Sequence, residues 1–341
     1  MLYATTRSDH DAYTPQRILW EKRGSDGGLF VPFRNPLYSA QDLNRIAGQS
    51  FPATVAELLN LQFNSRISSH DVDFAVGRYP VRLQKLTGRI IAAECWHNTR
   101  GELDRIAENL SALLNTDSDH TLQGDWIHIA VRIAILFGIY GELNRVGLAD
   151  PAAPFDISLV SGDFVSPVSA WYARQWGLPI GNIVCCCNEN SGIWNLFAHG
   201  QLRTDGAPIP TLTPKADVVV PESLERLVYG AAGPAETESY VNCIKNGSTW
   251  YLHPAVLTEL RRGIHVSVVS EKRMLSTIRG VYSAAGYLLS PYDALCHGGL
   301  QDYRSRTGAT GWAVMLCERS AELDRNTVGE AIGLTPEELK L

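Results

Sequence analysis

The residues best suited to chemistry lie in four short stretches. Glu94 and His97 stand three apart in Glu94-Cys-Trp-His97, and Asp104 follows seven residues later. A carboxylate beside an imidazole can move a proton near neutral pH, so Glu94, His97 and Asp104 are candidate catalytic acid–base residues. Against this, His97 can simply cap the turn after a buried strand. Asp104, followed by Arg105 and Glu108, can be one charge on a solvated helix face. Ser161-Gly-Asp-Phe-Val165 offers Ser161 and Asp163 as candidate ligand-binding residues on a short loop. Asn188 and Asn190 carry amides that bind a small polar ligand or close a turn. Glu318 follows Cys317 at the end of an apolar run; Cys317 is either a nucleophile or one more buried thiol. His128, in an apolar stretch, reads as a core histidine. Cys185, Cys186 and Cys187 are consecutive, and neighbours in a strand face opposite sides, so the three do not converge on a metal. No metal site is expected.

The elements that must position these residues alternate. Strands are predicted over Arg89–Cys95, Asp156–Val160, Asn182–Cys187, Ile264–Val269 and Gly311–Cys317. Helices are predicted over Ala40–Ala47, Ala53–Phe63, Glu102–Leu114, Trp126–Leu143, Ser166–Trp176, Glu271–Ala285, Pro291–Arg304 and Arg325–Ile332. Strands and helices alternating in this way predict an α/β fold with a mainly parallel sheet flanked by helices. Ser166-Pro167 reads as an N-cap with proline behind it. Asn115–Gly124 is a polar break, and Thr204–Glu236, rich in Pro and Gly, an irregular surface excursion. The chain divides into an N-terminal region, 1–88, and an α/β domain, 89–341.

Apolar residues make up 45% of the 341 and formal net charge is −6, with both signs interspersed. No basic patch interleaved with aromatics is present, so nucleic acid is not an expected partner. The apolar run Ile127–Tyr140 contains His128 and Arg132 and reads as a buried helix rather than a membrane span. Seven cysteines without a secretory leader are expected to be reduced thiols in a cytoplasmic protein.

An ordered series of motifs carries a resemblance. Thr5-Thr-Arg7 and Asp26-Gly-Gly-Leu-Phe-Val-Pro32 come first, then Ser161-Gly-Asp-Phe-Val165 and Gly177-Leu-Pro-Ile180. Asn188-Glu-Asn190, Phe197-Ala-His-Gly200, Gly286-Tyr287 and Ser290-Pro291 complete it. The series resembles threonine synthase. That resemblance implies a tryptophan synthase β-like, fold-type II architecture and, in ordinary members, pyridoxal-phosphate chemistry. This chain departs from the pattern at the site. Laid on the family's lysine motif, Glu94 and His97 match, but Asp104 stands where the lysine should. A carboxylate forms no Schiff base. The six lysines are Lys22, Lys85, Lys215, Lys245, Lys272 and Lys340, and none lies in a segment resembling the active-site core. On the phosphate loop Asp163 replaces Asn and Val165 replaces Gly, adding a charge and a side chain where bare N–H groups would meet phosphate. The family's substrate loop has no counterpart, which implies a small domain reduced or missing around 97–145. Glu318 falls near the threonine that, in the family, faces the cofactor's pyridine nitrogen.

The resulting expectation is a threonine synthase-like pseudoenzyme or binding subunit with no cofactor. Self-association or a protein partner is expected, and an amino-acid-like small ligand is the accompanying alternative. A repurposed cofactor-independent lyase, isomerase or cyclase is the rival. A pyridoxal-phosphate lyase using an unplaced lysine is the weaker one.

Overall fold

The computed structural model describes every residue except 78–79, 116–120, 149–152 and 340–341. The N-terminal region forms a small antiparallel sheet from β1 (Tyr3–Thr5), β2 (Ser8–Tyr13) and β3 (Phe30–Pro32), in the order β2-β1-β3. Four helices accompany it: α1 (Pro15–Trp20), α2 (Ala40–Ala47), α3 (Phe51–Phe63) and α4 (Ser69–Val76). Ser39 and Ser68 cap α2 and α4 through reciprocal capping boxes with Asp42 and Asp71.

The main sheet has six strands: β4 (Arg82–Leu86), β5 (Ile90–Glu94), β6 (Phe155–Val160), β7 (Ile180–Cys187), β10 (Ile264–Val268) and β11 (Ala313–Cys317). Their order is β10-β7-β6-β11-β5-β4. Every pairing is parallel except that of β4 with β5. Short strands β8 (Gln201–Leu202) and β9 (Trp250–Tyr251) pair separately. The remaining helices are α5 (Leu103–Ala112), α6 (Trp126–Arg145), α7 (Val165–Gln175), α8 (Gly192–His199), α9 (Leu224–Lys245), α10 (Pro254–Arg261), α11 (Glu271–Ala285), α12 (Pro291–Thr307) and α13 (Arg325–Ile332).

Helices cover both faces of the sheet, which is why its strands are nearly continuous apolar runs. Ile91, Ala93, Cys185, Cys187, Val314 and Leu316 join the core that holds α3, α6 and α7. Ile90, Ala92, Cys186, Ala313, Met315 and Cys317 join the opposite core under α11, α12 and α13. The cysteine triplet therefore splits between the two faces, as strand alternation requires.

Helix α6 has 20 residues and is long and apolar enough to cross a bilayer, yet it is buried inside the fold. Between 98 and 125 the described residues form α5 and turns, with no strand and no second sheet. The polar break predicted over Asn115–Gly124 lies partly outside the described residues. The predicted excursion Thr204–Glu236 is shorter than expected, because α9 begins at Leu224. Gly233, at φ 78°, and Pro234 interrupt that helix, which explains why its composition reads as a loop.

Candidate functional site

The carboxyl ends of β5, β6, β7 and β11 lie side by side, and the segments that follow β5, β6 and β11, with Lys215 and the first turn of α12, enclose a cavity of about 120 Å³. Open parallel sheets place their crevices at this edge. After β6 the chain turns through Gly162 (φ 40°) and Phe164 (φ 69°), the latter fully buried and in the left-handed region. This turn aims Asp163 at the first turn of α7, where its Oδ1 accepts the Val165 N–H at 3.1 Å. The protein's own carboxylate thus meets a helix N-terminus, the place where N–H groups and dipole favour an anion. Ser166 is not the N-cap expected from sequence, because α7 starts one residue earlier, at Val165. Its hydroxyl instead accepts from Arg132 Nε at 3.1 Å and donates to Glu318.

Arg132 is the one cation on the buried stretch of α6, and its guanidinium reaches the crevice. Its Nη2 donates to Asp104 Oδ1 at 2.7 Å and lies 4.0 Å from Glu318 Oε2. Burial opposes the guanidinium charge, but Glu318, Asp104 and Asp163 outweigh it and hold Arg132 charged. Burial also works against the Asp104 charge, yet Arg132 and Lys215 together pull its carboxyl below the usual range. For Glu318 the balance reverses, and burial pushes the carboxyl up despite Arg132 and Ser166.

Lys215, which lies in no segment resembling the family's active-site core, nevertheless reaches this site. It sits on a 3-10 turn, Pro214–Ala216, at the end of the surface excursion. Its Nζ donates to Glu102 Oε1 at 2.9 Å and to Asp104 Oδ2 at 3.1 Å. Those two carboxylates hold the ammonium charged against the opposing effect of burial. Glu102 is shared with Arg319, which also binds Asp324 at 2.7 Å.

Asn188 and Asn190 position this lysine. Asn188 Nδ2 reaches Thr213 Oγ1 at 3.0 Å and Asp217 Oδ1 at 2.7 Å. Asn190 Nδ2 reaches the Ile209 carbonyl at 2.9 Å, and its Oδ1 accepts the Ile209 N–H at 2.8 Å. The two amides are therefore engaged in clamping the excursion over the crevice. The Lys215 N–H donates to the Tyr292 hydroxyl at 3.2 Å, fixing the turn from the other side.

Glu94 and His97 do come together: His97 Nε2 lies 2.6 Å from Glu94 Oε2, and the Tyr287 hydroxyl donates to Glu94 Oε1 at 2.8 Å. Trp96 stacks on the His97 ring, with centroids 4.0 Å apart. Neither Glu94 nor His97 lines the cavity that holds Asp104, Ser161, Asp163 and Glu318. Asn188 and Asn190 do not line it either. Cys317 is fully buried, and burial pushes its thiol well above the usual range, so it is no thiolate nucleophile. His128 is exposed on α6 rather than in the core, on the wall of an outer crevice with Asp104 and Asp163.

Asp293 completes the cavity. It is the third residue of α12 and forms a reciprocal capping box with Ser290 through its Oδ2. Its Oδ1 is buried with no N–H or O–H donor, and the Cys317 thiol is the one neighbour that favours its charge there. Burial raises its carboxyl from 3.8 to about 7, with Ser290 and Cys317 pulling the other way. Glu102, Arg132, Lys215, Asp293 and Arg319 are thus site residues that sequence reasoning did not single out. Arg132 had left a signal, since a charge on a buried apolar helix needs a partner.

A family model described as threonine synthase N terminus matches residues 2–78. Human threonine synthase-like 1 is 24% identical over 176 residues, which span 50% of this chain and 23% of the relative. Threonine synthase of Pseudomonas aeruginosa is 26% identical over 174 residues, 50% of this chain and 36% of the enzyme. The sequence matches thus span well under half the length of these relatives. In fold the likeness is wider. The PLP-bound threonine synthase of Brucella melitensis superposes with a TM-score of 0.84 at 16% identity, over 98% of this chain and 92% of that one. The yeast threonine synthase gives 0.85 at 16% identity, over 97% and 90%. This chain therefore resembles threonine synthase in sequence over half its length and shares the fold-type II architecture of that enzyme over nearly all of it.

Proposed function

We propose that this protein is a threonine synthase-like fold that has given up pyridoxal phosphate and works as a binding subunit for a small ligand or a protein partner. The observation that carries the reading is the Asp163 carboxylate at the N-terminus of α7, already accepting the Val165 N–H. A phosphate brought there faces a fixed negative charge. At about 4 Å and an effective dielectric near 20, one pair of unit charges repels by roughly 4 kcal/mol. Asp104, at the position matching the family's lysine, supplies no amine. The residues present do not fit the cofactor. Equilibrium dialysis against micromolar pyridoxal phosphate tests this: the protein is expected to retain none, and stoichiometric retention would overturn the proposal.

A second reading has one specific observation behind it. Lys215 Nζ lies 3.1 Å from the Asp104 carboxylate, so a primary amine does reach the place where the family's lysine is missing. It is a charged ammonium between two carboxylates, the wrong protonation state for attack on a carbonyl. Retention of the cofactor abolished by Lys215→Ala would favour this reading over the first.

A further inference from the structure

Strand β10 closes one edge of the main sheet and pairs on one side only, with β7. The Ile183 N–H reaches the Gly263 carbonyl and the Val269 N–H reaches the Cys187 carbonyl, both at 2.9 Å. In this parallel register Gly263, His265, Ser267 and Val269 turn their backbone groups toward β7. Ile264, Val266 and Val268 turn theirs outward, where no strand meets them among the described residues. At the Ile264 end of this row lies a notch of about 200 Å³, whose walls include Ile264, His265, Val266, Trp194, Arg261 and Arg306.

The notch carries one sign of charge. No carboxylate lines it, in a chain whose formal net charge is −6. Arg261 donates from Nε to the Phe197 carbonyl at 2.6 Å and from Nη2 to the Ala198 carbonyl at 2.8 Å. Arg306 donates from Nη2 to the Val266 carbonyl at 3.3 Å and to the Ser267 hydroxyl at 3.2 Å. All these acceptors are neutral, and Nη1 of each guanidinium keeps its donors for a carboxylate. Arg306 already does for the Val266 carbonyl what an added strand would do for the whole row.

Three occupants differ in what they satisfy. A small anion pairs the guanidiniums and leaves the outward backbone row bare. A second copy of β10 pairs the backbone across a two-fold seam, but it gathers four guanidiniums with no carboxylate between them. An extended acidic segment does both. Its backbone continues the ladder, and its side chains two residues apart share a face, so its carboxylates run along the arginines. Trp194, 37% exposed, offers an apolar wall beside them.

We propose that the β10 edge docks an extended acidic segment of a partner protein by strand addition, with carboxylates on Arg261 and Arg306. The dock does not depend on the fate of the cofactor, because the notch adjoins the amino end of β10 and the crevice lies at the carboxyl ends of the strands.

The test is fluorescence anisotropy of the full chain with a labelled, end-blocked peptide of alternating valine and glutamate. Its controls are the same peptide with lysine for glutamate, a fully N-methylated version that has no backbone N–H, and inorganic phosphate. The glutamate peptide is expected to bind saturably and the two control peptides to stay free. Arg261→Gln and Arg306→Gln, both exposed and outside the crevice, should each weaken it about tenfold. Bound peptide should also slow amide exchange at Ile264, Val266 and Val268. Silence with the glutamate peptide, equal binding of either control peptide, unchanged affinity in both variants, or unchanged exchange in β10 would overturn the proposal. Phosphate binding as tightly as the peptide would reassign the notch to a small anion. Protection of the same three amides that grows with protein concentration alone would reassign the edge to a second copy.

Discussion

Replacing Asp293 by Asn should raise stability more at alkaline than at acid pH. The carboxyl is buried, its Oδ1 has no N–H or O–H donor, and burial lifts it from 3.8 to about 7 against the pull of Ser290 and the Cys317 thiol. A carboxyl raised in the folded state binds its proton more tightly there than in the unfolded chain. Its contribution to stability is present below about pH 4 and is lost progressively up to about pH 7. The slope is roughly 1.4 kcal/mol per pH unit, so the two units between about pH 5 and pH 7 remove about 3 kcal/mol from the wild type. The amide does not titrate and escapes this loss. It leaves one polar group without a partner at every pH, a constant cost of about 1–3 kcal/mol. The diagnostic quantity is therefore the change in the gap between the two proteins. Urea unfolding near pH 5 and near pH 8 should show the gap shifting by about 2–3 kcal/mol in favour of Asn at the higher pH. A gap that stays constant, or moves the other way, would refute the claim that Asp293 is an uncompensated buried charge.

Arg132→Ala should cost about 2–3 kcal/mol, because Glu318 and Ser166 lose a buried partner while Asp104, half exposed, keeps Lys215; denaturant unfolding reads the loss, and a cost below about 1 kcal/mol would contradict the network. Asn188→Ala should destabilise by about 1–3 kcal/mol and speed amide exchange in residues 203–217, since Thr213 and Asp217 lose the donor that clamps the excursion. Exchange in that segment unchanged from wild type would count against the clamp. A partner-binding role calls for association, and Phe74 and Leu37, 88% and 79% exposed, are available for it. Sedimentation at micromolar concentration is expected to show a dimer or larger species, and a purely monomeric boundary with no protein recovered by pull-down would remove that part of the proposal.

Elements with a strong local signal were legible to the residue. Helices α2, α11 and α13 coincide with their predicted spans, the first two set by serine N-caps at Ser39 and Ser270. The inner strands were legible because burial on both faces makes them uniformly apolar. The N-terminal sheet was not, since Tyr3–Thr5 and Phe30–Pro32 have three residues each and Ser8–His10 is polar. At the site, Asp104, Asp163 and Glu318 could be singled out because each departs from a motif that the surrounding residues keep. Lys215 could not. It reaches Asp104 across 111 positions of sequence, on a turn held by hydrogen bonds from Asn188 and Asn190, and no local spacing records that approach. Asp293 was masked by its place in a helix cap, where an acidic residue is ordinary. Only the closing of the sheet edge over it makes the carboxylate unusual.

The central claim is that this crevice forms no covalent bond with pyridoxal phosphate although Lys215 lies within it. Borohydride reduction of the protein with excess cofactor, followed by peptide mass mapping, tests that claim most directly. The account predicts unmodified Lys215 and at most sparse, non-stoichiometric labelling of exposed lysines. A stoichiometric pyridoxyl adduct on Lys215 would contradict it.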